Sequence, residues 1–274
     1  PVRPRLPHGP TPHRRPRPRR RRGPAPGGLP GVSGPLLQVR GLGVTLETRQ
    51  GRLRPVDGVD LELERGRTLA LLGESGCGKS MTAFALMGLL PPGGRVAGGR
   101  VDLDGEDLLA LPEEAMGRVR GGRIAMVFQE PQTSLNPVMR VGRQVEEVLA
   151  LHRGLAARAR REAAVELLGH VGIPDPRRRL DAYPHELSGG MKQRVVVAMA
   201  LAGEPDLLIA DEPTTALDVT IQAQVLDLLR RLQGELGMAV LLITHDLGVA
   251  AALADRVAVM YAGQVVEEAG VADF

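Results

Sequence analysis

The chain has 274 residues, of which 43% are hydrophobic and 24% are charged, the balance of an ordinary globular protein. Its length suits one large α/β domain or two small ones, and no apolar run approaches the roughly 20 residues needed to cross a bilayer. No apolar stretch follows the arginine-rich N-terminus, so neither a secretory nor a twin-arginine export signal is supported. A single cysteine excludes an internal disulfide framework, which fits the reducing cytosol.

The net charge of +3 is concentrated at the N-terminus. Residues 1–34 contain nine arginines and no acidic residue, and in the rest of the chain 26 basic residues face 32 acidic ones. Eleven of the 22 prolines lie in residues 1–35. A segment of this composition cannot bury a core and is predicted to be disordered. A basic tail can contact nucleic acid or anionic lipid, but a solvated extension, or translated sequence upstream of the true start, is the simpler interpretation.

The strands are predicted from two kinds of pattern. Residues 36–47 and 56–66 alternate apolar and polar side chains, which predicts antiparallel strands with one face in water. Short apolar runs predict buried strands at 68–72, 207–211 and 238–245, and the segments 101–105 and 124–128 are predicted to be further strands. A hairpin turning at Ala262 and Gly263 is predicted near the end of the chain.

Helices are predicted between these strands. A glycine-rich loop follows the strand at 68–72, and the apolar helix after it is predicted to reach Leu90, before the PPGG stop. The segment 218–237 predicts an amphipathic helix with one apolar face: Ile221, Val225, Leu228, Leu229, Leu232 and Leu236. Alternating apolar strands and helices predict a parallel sheet covered on both faces, whereas residues 131–200 are helical in pattern. We therefore expect an α/β core with an antiparallel β subdomain and an inserted helical subdomain at about 131–200.

The loop GESGCGKS, residues 73–80, fits the phosphate-binding pattern G-x-x-x-x-G-K-S between a buried strand and a helix. Its backbone N–H groups and the helix N-terminus would hold phosphates, Lys79 would reach them, and Ser80 would ligate Mg²⁺. The chain uses lysine only at 79 and 192 against 33 arginines, which favours a position where a compact ammonium is required. A glycine-rich turn without a ligand is the alternative, and the strand–loop–helix context argues against it. The predicted nucleotide-binding residues are Gly73, Glu74, Ser75, Gly76, Cys77, Gly78, Lys79, Ser80 and Met81.

Two acidic residues end the predicted strand LLIAD. Asp211 and Glu212 are adjacent there, and consecutive side chains diverge at a strand end. Asp211 can hold Mg²⁺ through water, while Glu212 can face the γ-phosphate and polarise the attacking water. Such a pair alone is a weak signal, because acidic pairs often cap turns, but it gains weight after a phosphate loop.

Gln129 and His245 also follow predicted apolar strands. Ligands bind at the carboxyl edge of an open parallel sheet, so Gln129 could sense the metal and the attacking water and His245 could hydrogen-bond the γ-phosphate. Taken singly, each residue is more simply an exposed loop side chain.

Together these motifs resemble the ATP-binding-cassette (ABC) ATPases, from about Leu36 to the end of the chain. The order is the phosphate loop, Gln129, LSGGMKQR at 187–194, LLIADEP, Asp218 within ALD, and His245. Gln129 matches the Q-loop of that family, Ser188 to Gly190 its signature motif, Asp218 its D-loop and His245 its switch histidine. The segment 130–145 is similar to the ATPase subunits of bacterial peptide importers, a group that also handles nickel and related solutes.

The resemblance implies a P-loop NTPase core at 35–274 that uses ATP and Mg²⁺. It implies that Glu212, His245, Gln129 and Lys79 are catalytic and that Ser80, Gln129 and Asp211 serve the metal. It also implies that Ser188, Gly189 and Gly190 bind the nucleotide of a second ATPase subunit facing the first head to tail. Since peptide-importer ATPases continue beyond this length, a C-terminal truncation at Phe274 is expected.

The implied function is an ATPase that energises a transporter importing peptides or related solutes. Its implied partners are transmembrane permease subunits and an extracytoplasmic solute-binding protein, with no nucleic acid, at the cytoplasmic face of the membrane. One alternative is a soluble cassette ATPase acting on DNA or ribosomes, which usually carries a long coiled coil or a tandem cassette. Another is a small-molecule P-loop kinase, against which the signature motif argues.

Overall fold

The computed structural model of the protein describes residues 34–49, 51–129, 134–215 and 218–274. The tail predicted to be disordered lies outside these residues, apart from Gly34. The strands are β1 Leu37–Thr48, β2 Gly51–Leu63, β3 Thr68–Leu72, β4 Gly94–Leu103, β5 Glu106–Asp107, β6 Ile124–Val127, β7 Leu207–Asp211, β8 Ala239–Thr244, β9 Arg256–Tyr261 and β10 Gln264–Gly270. The helices are α1 Lys79–Leu86, α2 Glu113–Val119, α3 Val141–Arg153, α4 Ala157–His170, α5 Pro176–Arg179, α6 Gly189–Leu201, α7 Val219–Leu236 and α8 Leu247–Leu253.

The strands form two sheets. The first has the order β2-β1-β4-β5 and is antiparallel, as the alternating patterns predict. The second has the order β10-β9-β3-β8-β7-β6, in which β6, β7, β8, β3 and β9 run parallel and β10 pairs antiparallel with β9. The carboxyl ends of β3, β6, β7 and β8 therefore share one edge, where the predicted site residues follow.

The parallel strands β3, β6, β7 and β8 are buried on both faces, which explains their continuous apolar sequences. In β3, Leu69 and Leu71 join a core shared with the antiparallel sheet and α1, whereas Ala70 and Leu72 join a core shared with the later helices. The helices α3 to α6 follow one another, and no strand lies in the described part of the chain between 134 and 201. The α/β architecture with an added antiparallel sheet is confirmed.

Two details of the predicted helices were wrong. Helix α1 ends at Leu86, not Leu90, because Gly88 takes the left-handed conformation (φ 61°) and the amide of Leu89 bonds back to Phe84 O at 2.8 Å. Leu236 is 52% exposed at the last position of α7, before the left-handed Gly237. Leu226, which was not predicted on the apolar face, is buried. Within the described ranges, no helix is long and apolar enough to cross a membrane.

Candidate active site

The phosphate loop connects β3 to α1, and glycines without side chains occupy its turns. Gly78, the residue before α1, has φ 114°, and a Cβ built there would lie 2.1 Å from Pro55 O. A Cβ at Gly73 would lie 2.3 Å from Met260 O. Glycine is therefore required at both positions, and the loop can approach a ligand through its amides.

The Lys79 side chain hydrogen-bonds back to this loop. It is buried, and Nζ donates hydrogen bonds to Gly73 O at 2.7 Å and Glu74 O at 2.9 Å. The ammonium is thus fixed beside the loop amides and the N-terminal end of α1. These three sources of positive potential converge on one concave stretch of backbone, the arrangement that binds phosphate.

Asp211 ends β7 next to the start of α1. Its carboxylate is buried, accepts a hydrogen bond from the Ser80 hydroxyl, and keeps Oδ1 without a partner among the described residues. Burial raises the pKa of Asp211 and the charge of Glu212 adds to this, against the Ser80 hydrogen bond and the charge of Lys79. A buried carboxylate oxygen beside a hydroxyl fits a hard cation such as Mg²⁺.

Magnesium at this position needs few protein ligands. No group of three or more His, Cys, Asp or Glu side chains able to hold a metal lies in the residues that the structure describes. Mg²⁺ usually keeps several waters and takes one or two protein carboxylates together with phosphate oxygens. Ser80 and Asp211 therefore fit it. Gln129 was also predicted to serve the metal, and its Nε2 here donates to Glu212.

Glu212 is the centre of a second cluster. Gln129 Nε2 and Thr215 Oγ1 donate to its Oε2 at 2.7 and 2.8 Å, and His245 Nδ1 lies 3.0 Å from its Oε1. The side chain is 14% exposed, and this burial acts to raise its pKa. Hydrogen bonds from His245 and Thr215 and the charge of Lys79 outweigh burial, so the pKa of Glu212 lies below its usual value. Glu212 is therefore a carboxylate at neutral pH, able to accept a proton.

The structure thus brings together residues that the sequence analysis identified on three separate strands. Gln129 and His245 lie 83 and 33 residues from Glu212 in the chain. Thr215 was missed in the sequence analysis. Its position three residues after a carboxylate in a turn was the available signal, since a Thr hydroxyl often bonds locally in such turns.

The signature segment begins helix α6. Ser188 is its N-cap, accepting from the amide of Met191 at 3.3 Å, and Ser188 and Gly189 are exposed. A Cβ at Gly190 would lie 3.0 Å from Ile221 Cγ2, so this glycine packs against the start of α7. Asp218 caps α7 through the amide of Ile221 at 2.9 Å. The exposed helix start carries the positive end of the helix dipole and can receive an anion from outside the chain.

Known proteins are similar to this chain in sequence and in fold. The family model described as "ABC transporter" matches residues 56–215. The oligopeptide transport ATP-binding protein OppD of Bacillus subtilis is 54% identical over 233 residues, which cover 85% of this chain and 65% of OppD. A putative peptide import ATP-binding protein of Brucella melitensis is 56% identical over 239 residues, covering 85% of this chain and 71% of that relative.

Two solved structures have a similar fold. One is the dimeric ATP-binding cassette MJ0796 in a post-hydrolysis state bound to ADP and Pi, with a TM-score of 0.76, 29% identity, and coverage of 86% of this chain and 98% of that one. The other is cbiO1 from Clostridium perfringens, part of the complex cbiONQ, with a TM-score of 0.75, 29% identity, and coverage of 88% and 90%. On this sequence and fold, the chain belongs to the ABC transporter family.

Proposed function

We propose that this chain binds and hydrolyses ATP as the ATPase subunit of a transporter that imports peptides or related solutes. The observation that carries the chemistry is the Glu212 carboxylate, which is held by Gln129, Thr215 and His245 and adjoins Asp211 in the chain. The solute class rests on the similarity to OppD and to the Brucella relative, whose names refer to peptide transport. This chain spans 65% of the length of OppD.

The phosphates of ATP bind the loop from Gly73 to Ser80 and the first turn of α1, including Met81. The Lys79 ammonium exchanges its two loop carbonyls for phosphate oxygens, which are stronger acceptors because they are charged. Ser80 and Asp211 are the residues that hold Mg²⁺, and Gln129 can join them when it leaves Glu212. The metal, when bound, neutralises charge on the phosphate oxygens.

Glu212 is the general base for hydrolysis. Its carboxylate accepts a proton from the water that attacks the γ-phosphate, and its low pKa keeps it ionised for this step. Gln129 and Thr215 fix Oε2, so Oε1, beside His245, is the oxygen better placed to meet water. His245 is within reach of both the base and a phosphate bound at the neighbouring strand end.

A complete site takes its second half from another ATPase subunit. Ser188, Gly189 and Gly190 present a capped and exposed helix start, and we assign them to the nucleotide on the phosphate loop of the facing subunit. The segment at about 131–200 that carries them is the helical subdomain of the ATPase domain at 35–274.

The permease subunits are assigned to a groove on this helical segment. A cavity of about 310 Å³ lies there, lined by residues that include Asn136, Gln144, Leu151 and Met199. Leu151 is 76% exposed, and the first residue lining the groove is Ser134, five residues after Gln129. A cytoplasmic segment of the permease seated here would connect closure around ATP to the pore. The proposed location of the chain is therefore the cytoplasmic face of the membrane, where an extracytoplasmic solute-binding protein would deliver the solute from the other side.

The test is reconstitution in lipid vesicles with the permease subunits and the solute-binding protein. We expect ATP inside the vesicles to drive accumulation of a labelled oligopeptide, and Lys79→Ala to abolish both accumulation and ATP hydrolysis. If ATP is hydrolysed at a rate that peptides do not change, and no peptide accumulates, the ATPase activity is supported and the peptide assignment is overturned. Absence of hydrolysis in the assembled wild-type complex would overturn both.

Cys77 offers a chemical test of the nucleotide site. It is the single cysteine, it is buried, and its sulfur lies 3.8 Å from Lys79 Nζ. A Cβ at Gly73 would lie 2.6 Å from the same sulfur, so the thiol packs closely against the loop backbone and an adduct would disturb the loop. N-ethylmaleimide is expected to react slowly, to block nucleotide binding, and to be excluded by Mg-ATP. Mass spectrometry measures labelling, and Cys77→Ala should bind nucleotide and resist the reagent. Equal labelling rates with and without Mg-ATP would contradict this.

A further inference from the structure

Gln193 belongs to helix α6, which the signature residues begin, but its side chain points into the protein. It is 1% exposed, and its Nε2 donates a buried hydrogen bond of 2.8 Å to Pro213 O. Pro213 directly follows Glu212. A side chain of the helix that begins at Ser188 therefore holds the backbone of the loop that carries the proposed base.

That loop needs holding because Glu212 has an unusual backbone conformation. Its φ is 46°, in the left-handed region that a residue with a Cβ rarely adopts. Such a residue persists only when its surroundings fix it. The amide of Glu212 bonds to Ile243 O at 2.9 Å, and that of Thr215 bonds to Glu212 O at 3.1 Å. Pro213 has no N–H, so its carbonyl is its only backbone group able to hydrogen-bond, and Gln193 takes it.

The amide of Gln193 is only partly satisfied where it lies. Its Oε1 is buried and has no hydrogen-bond partner among the described residues. An unpaired buried acceptor is destabilising, and an apolar side chain of the same size would avoid that cost. The feature that an apolar side chain cannot supply is the hydrogen bond to Pro213.

We propose that Gln193 is a positioning residue that sets the Glu212 carboxylate through Pro213 and so connects the signature helix to the subunit's own hydrolytic site. This inference rests on the proposed function. When Ser188 to Gly190 engage the facing subunit's nucleotide, a shift of α6 reaches Glu212 through one side chain. Each of the two sites in a dimer can thereby respond to the occupancy of the other.

The test replaces Gln193 by methionine, which has similar length and no donor. We expect kcat for ATP to fall about tenfold with KM nearly unchanged, because Lys79 and the loop amides still bind ATP while the base is misplaced. Gln224→Met is the matched control. Gln224 Oε1 accepts from Arg194 Nη2 at 3.1 Å, so this change removes another α6 contact without touching Pro213. The control should keep its kcat. Gln193→Leu repeats the test with a different shape.

A second readout separates positioning of Glu212 from support of the signature. In the Glu212→Gln background, Gln193→Met should leave ATP-dependent dimerisation unchanged in analytical ultracentrifugation, because the signature and the phosphate loop are intact. Unchanged kcat in Gln193→Met, loss of dimerisation, or unfolding of both Gln193 variants would each overturn the inference. Absence of ATPase activity in the wild-type protein, or of dimerisation in Glu212→Gln alone, would instead count against the proposed function.

Discussion

Glu212→Gln is expected to bind ATP with normal affinity and to lose turnover by about 10²–10⁴-fold, the usual contribution of a general base. An amide has no basic oxygen that can take the proton from water. If the NH₂ group of the new glutamine took the place of Oε2, it would lie against Gln129 and Thr215, which both donate hydrogen bonds to that position. Lys79, the residue proposed to bind phosphate, lies at the start of α1 and keeps its contacts to Gly73 O and Glu74 O.

The measurement is ATP hydrolysis by the assembled complex together with an ATP-binding titration. Glu267→Gln is the matched control, because Glu267 is exposed on β10 and loses only a solvated charge. It should keep full turnover. Retention of more than a tenth of wild-type turnover by Glu212→Gln would show that another group takes the proton.

The fold was predictable where a strand is buried on both sides. The segments at β3 and β7 are short apolar runs bounded by charged or glycine residues, and their observed bounds are those predicted. The turn at Ala262 and Gly263 was also predicted, and both residues take positive φ between β9 and β10. Helix ends were less predictable. The apolar pattern continues past Leu86 into Leu89 and Leu90, so only the conformation of Gly88 reveals where the helix stops.

The site was predictable in part, because strand ends of a parallel sheet meet at one edge. This rule was enough to associate Gln129, Glu212 and His245. It could not provide the strand order β3-β8-β7-β6, which decides which strand ends are neighbours. Nor could it find the Gln193 bond to Pro213, since a side-chain contact to a backbone carbonyl 20 residues away leaves no spacing pattern in the sequence.

Ser188→Arg is expected to fold, to leave ATP binding by the isolated subunit nearly unchanged, and to abolish ATP-dependent dimerisation. The hydroxyl of Ser188 caps its own helix, and the loss of that cap costs about 0.5–2 kcal/mol of stability. The residues proposed to bind the subunit's own ATP are Lys79, Ser80 and the loop backbone, and the substitution does not change them. A bulky cation at the exposed helix start prevents the second subunit from closing on the nucleotide. Ser188→Ala separates loss of the cap from added bulk and should dimerise better than the arginine variant.

Mixing Ser188→Arg chains with Lys79→Ala chains decides which loop each signature serves. If the signature faces the phosphate loop of the other subunit, a mixed pair places the damaged loop against the damaged signature and leaves the second site whole. If each signature serves its own chain, every site in the mixed pair carries one lesion. ATP hydrolysis that is absent from each variant and recovered on mixing therefore supports the arrangement between subunits. Loss of ATP binding by a well-folded Ser188→Arg monomer would show that the motif acts within its own chain, because nothing outside that chain is then present to be disturbed.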